Sequence, residues 1–146
     1  MSKARQLADL LATVAETDVA NTFTADQSVS GELIATSYNE NHATLSGTTP
    51  AVDCEAANVF SLTLSGNTTF TFSNPPASGT AYGFTLKVTQ DSAGSGYTVT
   101  WPTSVDWAAA TAPTLTADAN GVDVFVFITH DGGTTWYGFT AGQALG

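Results

Sequence analysis

Residues 122–139 read VDVFVFITHDGGTTWYGF. Successive side chains of an extended chain point to opposite faces, so Val122, Val124, Val126 and Ile128 share one face and Phe125 and Phe127 the other. A strand apolar on both faces belongs in the middle of a sheet or at an interface. Thr134–Phe139 forms a second strand, and His130-Asp131-Gly132-Gly133 between the two is a strong hairpin signal.

Further strands lie upstream of this hairpin. Tyr82, Phe84, Leu86 and Val88 alternate strictly, with Lys87 on the opposite face. Tyr97, Val99 and Trp101 follow the loop DSAGSG with the same period, Pro102 breaks that strand, and Val105 and Trp107 fall in an irregular stretch. Before them, Phe60, Leu62 and Leu64 alternate with Ser61, Thr63 and Ser65. Gly66-Asn67 reads as a tight turn, Phe70 and Phe72 continue the apolar face, and Asn74-Pro75-Pro76 ends the run, because proline cannot donate to a ladder. About six to eight short strands separated by turns predict an antiparallel β-sandwich over residues 52–146.

The remainder of the chain differs in character. In SKARQLADLLATVAE, Leu7, Leu10, Leu11 and Val14 fall at i, i+3, i+4 and i+7, the stripe of an amphipathic helix over residues 1–16, with Ser2 as N-cap. A helix this short is marginal alone and needs a surface to lie on. Residues 17–51 carry Val19, Phe23, Val29, Leu33, Ile34, Tyr38 and Leu45, too thinly spread to enclose a private core. Such a segment becomes ordered when copies from several chains wrap around one axis, the reading taken here, and is otherwise a flexible linker. The expected fold is therefore mainly β, with a short N-terminal α-helix, an extended intertwined β segment and a C-terminal antiparallel β-sandwich. Leu7, Leu10, Leu11, Val14, Phe23 and Val29 are the expected attachment or oligomer-interface residues.

Composition narrows the function. Thirteen acids against three bases give a net charge of −10. Phosphate contacts need Lys and Arg, so nucleic acid is excluded as a partner, and an anionic membrane surface for the same reason. No run approaches a transmembrane helix, and no secretion signal opens the chain, so it is expected to be made in a host cytoplasm. Cys54 stands alone between Asp53 and Glu55, whose charges raise a thiol pKa and argue against a nucleophile.

The search for chemistry is thin. His130-Asp131 lies at a turn, where Asp caps the backbone through its side chain. Asp118–Asp123 faintly resembles a calcium loop but lacks its terminal Glu. His42 would converge with its copies on a three-fold axis, although NENH also reads as a polar turn. Trp101, Trp107, Trp136, Tyr82, Tyr97 and Tyr137 are aromatic enough for a sugar-stacking platform but fit a core equally well. Trp107, in its irregular stretch, is the candidate glycan contact. No catalytic residues, metal ligands or cofactor are expected, and the chain does not read as an enzyme.

The stretches AANVFSLTLSGNTTFTFSNPP, FTLKVTQD, YTVTWPTSVDW and VDVFVFITHDGGTTWYGF, in that order, resemble a distal β-domain of phage tail fibres and related virion proteins. SKARQLADLLATVAE is similar to the short N-terminal opening of many such proteins. The resemblance implies a virion component built as a homotrimer. The segment between helix and body is too short for a long fibre shaft. The first expectation is accordingly a capsid decoration, or cement, protein on the outer surface of the head, partnered by itself and the major capsid protein. The alternative is a short tail fibre or tip protein that contacts other tail proteins and a host-surface glycan.

Overall fold

The computed structural model describes residues 20, 22–25 and 27–146. The expected helix over 1–16, with Leu7, Leu10, Leu11 and Val14, lies outside the described residues. The chain divides into two units, Met1–Tyr38 and Asn39–Gly146. Described residues of the first unit form neither strand nor helix. Among the described residues, β-structure begins at His42.

The second unit is a stack of three chain passes closed by a hairpin. The first pass runs through β1 (His42–Thr44), Thr48–Pro50 and β2 (Ala51–Asp53). The second repeats the route through β3 (Val59–Thr63), β4 (Thr68–Thr69) and β5 (Thr71–Ser73). The third begins with β6 (Tyr82–Thr89) and β7 (Val99–Thr100). Each pass lies parallel on the one before, with β1 beside β3, β3 beside β6, β2 beside β5 and β4 beside β7. Bonds at the corners keep the passes in step: Thr69 N–H donates to Thr48 O at 2.9 Å and Phe70 N–H to Thr100 O at 3.0 Å.

After the third pass come β8 (Val105–Trp107), β9 (Val122–Thr129) and β10 (Trp136–Leu145). Strand β9 runs antiparallel to both β6 and β10, and β8 runs parallel to β10. One six-stranded sheet results, in the order β1-β3-β6-β9-β10-β8, with two-stranded sheets β2-β5 and β4-β7 forming other walls.

The mainly β expectation holds, but the antiparallel sandwich is corrected to a mixed, coiled arrangement. The reason lies at Gly66-Asn67. A type I′ hairpin turn needs positive φ at both central residues, and neither of these residues has it. The chain turns a corner there instead of reversing. Asn67 Oδ1 accepts the Thr98 N–H of the next pass at 3.0 Å. Gly132 and Gly133, by contrast, take φ of 73° and 75°, and the hairpin expected there forms. A second correction concerns Val105–Trp107, expected to be irregular, which is an edge strand.

The core fills the space between the walls. Val52, Phe60, Leu62, Leu64, Phe70, Phe84, Leu86, Val88, Phe125, Phe127 and Trp136 are all buried. Phe84 stacks on Phe127 at 4.9 Å and meets Phe72 and Trp136 edge-on at 5.0 and 5.4 Å. Phe72 comes from a different wall, so these rings join the six-stranded sheet to the β2-β5 sheet. Offset and edge-to-face pairs of this kind contribute ~0.5–1.5 kcal/mol each beyond their area burial. At the other end Trp101 stacks on Phe70 at 5.4 Å and packs on Trp107 at 5.3 Å.

Gly138 in β10 sits against Trp107 so closely that an added Cβ would lie 2.8 Å from Cζ3 of the indole. Gly138→Ala is therefore expected to destabilise the domain by about 1–3 kcal/mol, whereas Gly31→Ala, where nothing lies within 4 Å, should not. Urea unfolding of the two variants checks this, and an unchanged midpoint for Gly138→Ala would refute the close packing.

Candidate functional site: an aromatic hollow at the β8–β10 edge

The parallel pairing of β8 with β10 places Asp106 opposite Tyr137 and Trp107 opposite Gly138. Alternation then sends Asp106, Tyr137 and Phe139 to the outer face of the sheet and Trp107 and Gly138 to the inner one. Beyond Trp107 the chain turns through Ala108–Ala110, where Ala109 and Ala110 have φ of 55° and 53°. This left-handed region costs a residue with a Cβ roughly 1–2 kcal/mol, and backbone strain of this sort clusters at ligand-contacting sites. The turn, Asp106, Trp107 and Tyr137–Phe139 together line a hollow of ≈ 400 Å³.

Its chemistry is mixed. Tyr137 and Phe139 are exposed at 40% and 53%, large aromatic faces turned outward from a rigid sheet. His130, at the hairpin turn, stacks on Tyr137 with ring centroids 6.1 Å apart and an interplanar angle of 10°. Asp106 contributes an exposed carboxylate, an acceptor for hydroxyl donors. Apolar rings beside a few convergent polar groups are the usual lining of a small-molecule site.

Trp107, the candidate glycan contact, is 8% exposed. The expectation that it stands free in a loop is corrected: it lies in β8 with its ring against Gly138, Trp101, Phe125 and Phe127. It shapes the floor of the hollow, and its indole N–H is buried without a partner. Trp101 and Trp136 are core residues too. Of the aromatics considered for stacking, Tyr137 is the one that the fold presents. Phe139 and Asp106 are legible only once the register of β10 and the existence of β8 are known.

The other candidates resolve structurally. Asp123 is buried and accepts the Thr116 N–H and hydroxyl at 2.7 Å each and the Ala144 N–H at 3.1 Å. It ties the chain end and the 114–116 strip to β9. Asp131 accepts the Thr135 N–H and the Thr129 hydroxyl, both at 3.0 Å, and these bonds hold its carboxyl below the usual range. It is a turn cap, as its position implies. His42 Nε2 lies 2.9 Å from Ser61 Oγ. Among the described residues, no cluster of three His, Cys, Asp or Glu side chains is placed to hold a metal. Phe23 and Val29 are exposed, and both fall in the first unit.

Comparison with known proteins adds the decisive observation. Residues 46–135 match a family model described as "Putative phage tail fibre C-terminal domain". The chain belongs to the phage tail fibre C-terminal domain family. That match spans β2 to β9 and takes in β8. The tail fibre domain thus makes this protein a virion structural component of tail-fibre-like β type. No curated protein and no solved structure matches it.

Cys54 offers the tail fibre domain no reactive centre. Burial, and secondarily the Asp53 charge, push its thiol up to about 11. Tyr82 is pushed up to about 12, first by burial. Both groups keep their protons to higher pH folded than unfolded. Cys54 contributes stability in full below pH 9.0, its ordinary value, and loses it as pH rises through about 11, and for Tyr82 the window runs from 10.0 through about 12. A thiol-reactive chromophore at about pH 8 should therefore leave the native protein unlabelled and label one site after denaturation. Urea midpoints should also fall on the alkaline side of pH 9.0. Fast labelling of the native protein would contradict the burial.

Proposed function

We propose that this protein is a short tail fibre or tail tip component, assembled as a homotrimer, whose C-terminal domain binds a host-surface glycan without turning it over. The observation that carries this reading is the match of residues 46–135 to a tail fibre C-terminal domain. The hollow supports it further. A pyranose offers an apolar C–H face that suits Tyr137 and Phe139, and hydroxyls that suit Asp106. A sheet whose backbone is held by neighbouring strands presents these groups with little ordering cost on binding. The acidic chain, at −10 overall, also suits a neutral sugar better than an anionic one.

The capsid-decoration reading, with the major capsid protein as partner, rests on the shortness of the segment before the β-body. No finding supports it, and the family match favours the tail.

Two measurements test the proposal. Quantitative mass spectrometry of purified virions should give a copy number that tracks the tail proteins; one approaching that of the major capsid protein would return the protein to the head. Purified full-length chain should bind host cells and block infection. Tyr137→Ala and Asp106→Asn should each weaken that binding roughly tenfold, the loss of about 1.4 kcal/mol. Equal blocking by wild type and both variants would remove the hollow from the mechanism.

A further inference from the structure

All nine large apolar side chains that are exposed among the described residues lie in two places. Five belong to the segment before the compact unit: Phe23, Val29, Leu33, Ile34 and Tyr38, the last three at 77%, 85% and 79%. The other four, Ile128, Tyr137, Phe139 and Leu145, belong to β9 and β10. Single exposed apolar residues need no explanation, but concentration into two patches marks surfaces that something covers.

The β9 patch extends across the sheet. Val122, Val124, Val126 and Ile128 point outward and none of them is fully buried. The register sets Gly83, Thr85, Lys87 and Thr89 of β6 beside Ile128, Val126, Val124 and Val122 in turn. Beyond them Val59, Ser61 and Thr63 of β3 stand opposite Thr85, Lys87 and Thr89. No carboxylate interrupts this area, in a chain with thirteen acids. It carries one charge, the exposed Lys87, the only cationic side chain that the sequence supplies outside residues 1–5.

The apolar segment has the complementary character. Residues 27–38, QSVSGELIATSY, hold a single charge, Glu32, immediately before Leu33 and Ile34. One patch is uncharged except for a lone cation, with its apolar side chains on β9, and the other is uncharged except for a lone anion. Copies with a net charge of −10 repel each other over most of their surface, so association is least opposed where carboxylates are absent.

We infer that residues 27–38 of one copy lie on the outer face of β6 and β9 of the next copy, with Glu32 meeting Lys87. The contact is heterologous, since two different patches meet. Repeated around an axis, a heterologous contact closes into a ring, and three copies would give the homotrimer of the preceding section. The inference rests on self-association but not on glycan binding, and the β8–β10 hollow lies on the same outer face, beginning one strand beyond β9. Apolar packing supplies the attraction, and the charge pair sets register and direction.

Light scattering on the full chain, with charge reversal, tests the pairing. Glu32→Lys and Lys87→Glu should each raise the dissociation constant about threefold to fivefold at low salt, the effect of one exposed ion pair. The double variant should return it toward the wild-type value. Val126→Asp, in the middle of the patch, should abolish assembly while leaving the far-UV circular dichroism of the β-body intact. An oligomer indifferent to all four variants would overturn this interface and leave the homotrimer standing. Single reversals without rescue in the double variant would also overturn it, and a monomeric wild type would overturn interface and homotrimer together. A chain carrying both Leu33→Cys and Val126→Cys should form disulfides between chains on oxidation. Closure within one chain, at the lowest concentrations and with no linked oligomer, would show the segment covering its own sheet instead.

Discussion

The contact between Phe72 and the Phe84–Phe127–Trp136 cluster carries the architecture. Phe84, Phe127 and Trp136 belong to β6, β9 and β10 of the large sheet, whereas Phe72 comes from β5 on another wall. Without that bridge the β2-β5 pair would be two short parallel strands with nothing to lie on, and isolated pairs are not stable in water. With it, the passes close around one apolar interior. Everything described of the hollow follows from this closure. Strand β10 is held at a fixed height by Trp136 in the core, so its next outward residues, Tyr137 and Phe139, are aimed by a rigid floor.

The same economy explains why so few charged groups are needed. Thr and Ser cover the outside, and the buried polar residues are spent on joints. Asp123 fastens the 114–116 strip and the end of β10 to β9. Gln90 reaches Tyr97, donating to its carbonyl at 2.7 Å and accepting its N–H at 3.2 Å. A buried carboxylate or amide left without partners costs several kcal/mol, so these residues are as fixed by the fold as the phenylalanines are.

Much of the strand content was legible from alternation alone. Val122–Ile128 sits next to the middle of the large sheet, as a strand apolar on both faces must. Phe60, Leu62, Phe84 and Leu86 face inward, as their spacing requires. Direction was not legible. Alternation fixes which way a side chain points but is silent on which strand lies alongside, and the distinction between corner and hairpin at Gly66-Asn67 resides in the φ angles. The hollow was half legible for the same reason. Tyr137 stood among the aromatic candidates, but Trp107 seemed freer than it is because Pro102 and the small residues after it disguise a three-residue strand. The raised thiol pKa of Cys54 was legible in part: the Asp53 charge beside it was read from the sequence, whereas burial, the larger cause, comes from the packing. The family match and the order of the β motifs point the same way, since both read the succession of short strands rather than any one residue.

The stacked passes also determine how the domain bears load. Tension arriving from the residues before Asn39 reaches β1 first, and β1 is held to β3 by three residue pairs. The next joint, β3 to β6, has five, and β6 to β9 has eight. The pairing therefore thickens toward the middle of the sheet and thins again beyond it, to six pairs between β9 and β10 and three between β10 and β8. A pull at either margin of the sheet thus meets a three-pair seam first, and the densely paired middle strands with their phenylalanines come under load last.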